Sequence, residues 1–116
     1  MIFDNTVPIY LQVIRQIKMD LIQGKLQLGE KMLSTRELAL AYQINPNTVS
    51  RIYKELELEG ICFTKRGLGT YVTENKEILI TIKEEMAKTA MTQFVESMRD
   101  IGFTKEDVLR LIEQQY

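Results

Sequence analysis

With 116 residues, the chain has room for one compact domain and a modest appendage, but not for a second full-size domain. Apolar residues make up 45% and charged residues 27%, which excludes an intrinsically disordered chain, and no apolar run reaches the roughly 18 residues of a membrane span. The net charge of −1 excludes a strongly basic protein, so any basic function must sit in a local patch.

Near the start, Asn5 and Thr6 offer caps and Pro8 suits a first helical position. Tyr10, Ile14, Ile17 and Leu21 then recur at three- and four-residue steps, with Leu11 and Ile22 widening the stripe, until Gly24. This predicts a first helix over about 8–23. A connector follows over 25–33, with alternating apolar residues and a turn at Gly29; it is a candidate third strand for a later hairpin.

Ser34-Thr35-Arg36-Glu37 has the spacing of a capping box, so a second helix starts at Ser34. Leu38, Ala39 and Ala41 form its small inner face, and Tyr42-Gln43-Ile44 makes the turn. Asn45 is a predicted N-cap with Pro46 in the first helical position, giving a third helix over about 46–59 closed by Gly60. Val49, Ile52, Tyr53 and Leu56 point inward at helical spacing; Asn47, Thr48, Ser50, Arg51 and Lys54 point outward. Two alternating strands, 61–65 and 70–73, flank a short glycine-containing turn.

Beyond Glu74 the pattern changes. Ile78, Ile82, Met86, Ala90, Phe94 and Met98 recur every four residues, which predicts one long helix over about 76–100 with Thr89–Thr92 as the place for a kink. Gly102 ends it, Thr104 caps a final short helix, and Val108, Leu109, Leu111 and Ile112 are that helix's apolar residues. The expected fold is mainly α with a small β-hairpin wing: a winged helix-turn-helix over 1–74, then a two-helix tail over 75–116.

The segment 34–73 has the layout of a major-groove DNA reader. Asn47 suits adenine or phosphate, Thr48 and Ser50 suit phosphate or a thymine methyl, and Arg51 suits guanine or phosphate. Ser34 and Arg36 stand at the second helix's N-terminus, where amides and a guanidinium together suit a backbone phosphate. Lys54 extends the third helix's basic edge. Lys65, Arg66 and Gly67 form the wing turn, where Gly67 and Gly69 permit positive φ and close approach to DNA. Residues 1–74 carry nine basic and eight acidic residues, and 75–116 carry six and eight, so the basic balance lies on the side of the reading face.

Duller roles remain open for each residue. Arg51 and Lys54 have Glu55 and Glu57 within helical reach, Arg36 has the option of being a solvated charge, and Lys65 and Arg66 of merely guarding a strand edge. A winged-helix module that binds a partner protein and no DNA is the alternative function, supported by the negative net charge. Catalysis has little to draw on: the chain has no histidine, and it shows no Walker or dinucleotide phosphate loop. No cofactor or metal site is expected. Cys62 alone cannot staple the monomer and, in a predicted strand, reads foremost as a small buried residue. The N-terminus lacks the basic-then-apolar pattern of a secretory leader, which points to the cytoplasm, with no membrane partner.

Taken as a set, these motifs resemble the GntR family of bacterial transcription regulators. The resemblance runs over roughly 8–73: Pro8-Ile9-Tyr10; Gly24-Lys25-Leu26 to Gly29; Ser34-Thr35-Arg36-Glu37-Leu38-Ala39; Asn45-Pro46-Asn47-Thr48-Val49; Leu56 to Glu59-Gly60; and Arg66-Gly67-Leu68-Gly69-Thr70-Tyr71-Val72. Leu33 departs from it, since the family usually has proline there, and a looser entry to the second helix is the expected consequence. Only about 42 residues follow the wing, which matches the short-tailed YtrA-like subfamily. The resemblance implies a repressor of transporter genes and of its own operon, with Arg36, Asn47, Thr48, Ser50, Arg51 and Gly67 on DNA.

The tail agrees on physical grounds. Its long apolar stripe cannot be covered by the 14 residues after Gly102 alone, so Ile78, Ile82, Met86, Ala90, Phe94, Met98, Leu109 and Ile112 are expected at a homodimer interface, with packing back onto the winged part as the alternative. A two-fold dimer would read double-stranded DNA at an inverted repeat. Met86, Met91, Phe94 and Met98 read as core filler first, and second as the lining for a small apolar effector.

Overall fold

The computed structural model describes all residues from 1 to 116. Its elements run α1 (Ile9–Ile22), α2 (Thr35–Tyr42), α3 (Pro46–Leu58), β1 (Cys62–Lys65), β2 (Gly69–Val72), α4 (Glu77–Ile101) and α5 (Lys105–Gln115). The chain divides into two compact units, Met1–Ile82 and Lys83–Tyr116.

In the first unit, α3 is the hub and packs against α1, α2 and β1. Its Val49, Ile52, Tyr53 and Leu56 are buried, as their spacing predicts. From α1 come Val13, Ile14, Ile17 and Leu21. The α1 stripe therefore widens toward Val13; Leu11 is exposed and Tyr10 only half-buried. Leu38 and Ala39 complete the core from α2. Ala41, expected inside, is exposed: on the helical wheel it lies about 160° from Ala39, whereas half-buried Tyr42 falls between the directions of Leu38 and Ala39.

Local chemistry sets the helix boundaries. Ser34 Oγ accepts from the Glu37 amide at 3.1 Å, and the Ser34 amide donates to Glu37 Oε1 at 2.9 Å, so the capping box forms in full. The Ser34 amide, followed by the Ser34 hydroxyl, holds the Glu37 carboxyl below its usual range. Asn45 Oδ1 accepts from the Asn47 amide at 2.8 Å, with Pro46 in the first turn. At α1 the pattern differs from expectation: Pro8 itself is the N-cap, in extended backbone and with no side-chain cap. Asn5 and Thr6 are not used there. Instead Gln12 binds the arm back, accepting from the Asp4 amide (2.8 Å) and donating to the Asp4 and Val7 carbonyls (2.7 and 2.8 Å).

The wing is an antiparallel hairpin with Cys62 opposite Val72 and Lys65 opposite Gly69. The Leu68 amide donates to the Lys65 carbonyl at 2.9 Å, and Gly67 at the third turn position has φ +78°. That combination is a type II turn, which requires the left-handed conformation glycine supplies. The connector pairs with the far side of β2 through a single bridge, Lys31 to Tyr71, flanked by bonds from Met32 to Thr70 and from Val72 to Glu30 (both 2.8 Å). It is a tether, not a full third strand. Cys62 is buried under the wing, and burial followed by the charge of Glu57 pushes its thiol up to about 12.

Ile82 lies 2% exposed at the end of the first unit. It was expected on an open interface, but the first turns of α4 cluster with the winged unit, so this side chain is already covered within the chain. The second unit holds the rest of α4, which continues through Thr89–Thr92 unbroken, and α5. Gly102 (φ +96°) ends α4, and Thr104 with Asp107 forms a second complete capping box. No residue of this unit is buried.

Candidate nucleic-acid interface

All ten residues assigned to DNA lie in the first unit, on the N-terminus of α2, the outer edge of α3 and the wing turn. Thr48 is half-buried; Ser34, Arg36, Asn47, Ser50, Arg51, Lys54, Lys65, Arg66 and Gly67 are exposed. What matters chemically is which of their polar groups are already engaged. Ser50 Oγ donates to the Pro46 carbonyl at 3.3 Å, and Ser34 Oγ serves its cap. The side chains of Asn47, Thr48, Arg51, Lys54, Arg36, Lys65 and Arg66 make no hydrogen bond or ion pair within the chain.

Two of the three nearby carboxylates are drawn elsewhere, and the third, Glu55, pairs with no group of the chain. Glu59 pairs with Lys18 of α1 at 2.8 Å, and Glu57 accepts from the Thr64 hydroxyl of the wing. Neither Arg51 nor Lys54 forms the helix-surface pair that the sequence left open. The outer edge of α3 therefore presents side-chain donors that no acid of the chain pairs with.

At the start of α2, Arg36 occupies the second helical position, beyond the Ser34 cap. The amides of Thr35 and Arg36 have no partner within the chain, whereas that of Glu37 is capped. Leu33 stands immediately before this cap. Its carbonyl accepts from the Tyr53 hydroxyl, which ties the connector to α3. Burial is the leading cause that holds the Tyr53 phenol well above its usual range.

Two features escaped sequence reasoning. The Arg51 guanidinium stacks over the Tyr10 ring, 3.7 Å from its centroid. On the wing, Lys65 Nζ sits 4.5 Å from the Tyr71 centroid and 5.7 Å from that of Phe63. The Arg51–Tyr10 contact joins distant parts of the chain, so no local spacing announces it, whereas the wing contacts lie within one hairpin.

The sequence description of the bacterial regulatory proteins of the gntR family matches residues 9–72, more than half the chain and the whole of this arrangement from α1 to β2. The chain belongs to the GntR family. It is similar to the HTH-type transcriptional repressor YtrA of Bacillus subtilis, with 41% identity over 95% of this chain and 85% of that one. Among solved structures it is similar to a GntR family transcriptional regulator from Listeria monocytogenes, with TM-score 0.88 and 36% identity over 97% of this chain and 98% of that one. It is also similar to the AraR DNA-binding domain solved in complex with operator ORR3, with TM-score 0.56 and 25% identity over 63% and 88% of the two chains. A GntR chain with this winged helix-turn-helix is a DNA-binding transcription regulator and not an enzyme.

No helix is long and apolar enough to cross a membrane.

Proposed function

We propose that this GntR regulator works as a homodimeric repressor that reads an inverted-repeat operator, with Arg51 and Asn47 on base edges and Arg36, Ser34, Thr48, Ser50, Lys54, Lys65, Arg66 and the Gly67 backbone on the sugar-phosphate frame. The observation that carries this reading is the outer edge of α3: Asn47, Arg51 and Lys54 are exposed and make no hydrogen bond or ion pair within the chain, while Glu57 and Glu59 are engaged by Thr64 and Lys18. Short polar side chains near a helix N-terminus, with a guanidinium one turn on, suit the major groove. Repression follows the family resemblance and the name of the Bacillus repressor, and control of transporter genes follows the resemblance alone.

The dimer rests on the second unit. Phe94 and Met98 of α4 and Leu111 and Ile112 of α5 line an open apolar groove, and Met91, Ile101 and Leu109 are exposed. Met86 is half-buried and Ala90 exposed on the same helix, while Ile78 is half-buried before the unit begins. A unit with no buried residue has little core of its own. Pairing with a second copy would supply one, at roughly 1.5–3 kcal/mol for each large side chain fully buried. Any effector would be a small apolar molecule held in that groove.

Titrating duplexes from the DNA beside the gene, followed by fluorescence anisotropy at two salt concentrations, tests the reading. Arg51→Ala is expected to cost roughly 1–3 kcal/mol at the operator and to relax specificity. Arg36→Ala is expected to weaken operator and scrambled duplexes alike, with a shallower salt dependence. Operator affinity unchanged by Arg51→Ala would remove the assigned role.

A further inference from the structure

We infer that Tyr10 is a specificity-determining positioning residue, whose ring holds the Arg51 guanidinium ready for DNA. Tyr10 acts this way only if Arg51 contacts DNA, as proposed above. The guanidinium carbon sits over the ring, 3.7 Å from its centroid. Arg51 is exposed and takes part in neither of the chain's two ion pairs. The ring is therefore the partner that selects its rotamer.

Stacking suits this task better than a salt bridge would. The five N–H donors of a guanidinium lie in its plane, so a ring on one face leaves every donor free to point outward. A carboxylate partner would occupy the same fork that must meet guanine or phosphate. The platform itself is fixed. Tyr10 sits in the first turn of α1, half-buried, and Gln12 binds that turn to residues 4–7 through three hydrogen bonds. Helix α1 packs directly on α3, so ring and guanidinium belong to one packed body. A side chain ordered before binding loses less freedom on contact, which raises affinity for the duplex it matches.

The test is a double-mutant cycle read as the ratio of operator to scrambled-duplex affinity. Tyr10→Phe keeps the ring face, and the ratio is expected to stay within about twofold of wild type. Tyr10→Leu keeps apolar bulk but removes the π face, and the ratio is expected to fall roughly three- to fivefold, the upper part of the range of an exposed cation–π contact. In an Arg51→Ala background, Tyr10→Leu is expected to change nothing further. If Tyr10→Leu lowers the ratio equally with and without Arg51, the positioning role is overturned while the Arg51 reading survives. An Arg51→Ala variant that binds like wild type overturns both. Loss on Tyr10→Phe equal to that on Tyr10→Leu would mean that the hydroxyl, not the ring, matters, and would also overturn the inference. Far-UV circular dichroism checks folding of each variant, and Tyr10→Met replaces Tyr10→Leu in the same comparison should the latter not fold.

Discussion

Replacing Tyr53 by phenylalanine isolates one hydroxyl that ties the recognition helix to its surroundings. The Tyr53 ring is 7% exposed within the core, and its hydroxyl donates to the Leu33 carbonyl just ahead of α2. Tyr53→Phe leaves the ring volume in place, so no cavity opens. The cost is the hydrogen bond plus any desolvated group left behind. Leu33 is 45% exposed and the bond is only part-buried, so the larger penalty for a dry orphan carbonyl is not expected. The expected loss is therefore about 1 kcal/mol, against up to about 3 kcal/mol had the carbonyl stayed dry. Urea denaturation followed by circular dichroism reads this directly.

The same residue carries a pH signature. Its phenol is held above the ordinary 10.0 in the folded chain, and only the protonated form donates. The folded state thus keeps the proton longer than the unfolded state. Its contribution is complete below about pH 10 and is lost as pH rises from there toward the higher folded value. The stability difference between wild type and Tyr53→Phe should shrink across that interval, which cancels the titration of the other tyrosines and the lysines. A variant as stable as wild type at neutral pH, or a difference that stays flat in alkali, would refute the tether.

Gln43 holds φ +55° in the turn between α2 and α3 as the chain's one non-glycine residue at positive φ, so Gln43→Gly is expected to stabilise by about 0.5–1 kcal/mol in the same urea assay. Phe94→Asp places a charge in the apolar groove of the second unit; sedimentation should shift from the mass of the proposed dimer to that of the monomer with helix content retained. Cys62 is buried and its thiol pushed up to about 12, so labelling by a thiol reagent at pH 8 should wait on opening of the wing and accelerate with denaturant; prompt labelling of the native protein would contradict its burial.

Legibility in the sequence followed the reach of each interaction. Caps at Ser34, Asn45 and Thr104, and turns at Gly60, Gly67 and Gly102, are settled by atoms within about four residues, so they read off the chain directly. The inward face of α3 was legible for the same reason, since periodicity alone fixes which side is apolar. Periodicity does not say what covers an apolar side. Ile82 continues the stripe of Met86 and Phe94, yet it is buried with the first unit while they are not. Contacts between distant segments were invisible: the Arg51–Tyr10 stack, the Lys18–Glu59 pair and the Glu57–Thr64 bond each depend on how helices and wing are brought together. Those contacts decide which α3 groups remain free, so the residue types at the candidate site were readable and their availability was not.

Hydroxyl-radical and methylation footprinting of the purified protein on the DNA beside its gene addresses the central claim most directly. Two protected patches are predicted on one face of the duplex, related by a dyad and separated by about one helical turn of 34–36 Å or a multiple of it, each centred on a major groove. A single patch without a symmetry mate, or protection confined to the minor groove, would contradict paired reading by the outer edge of α3.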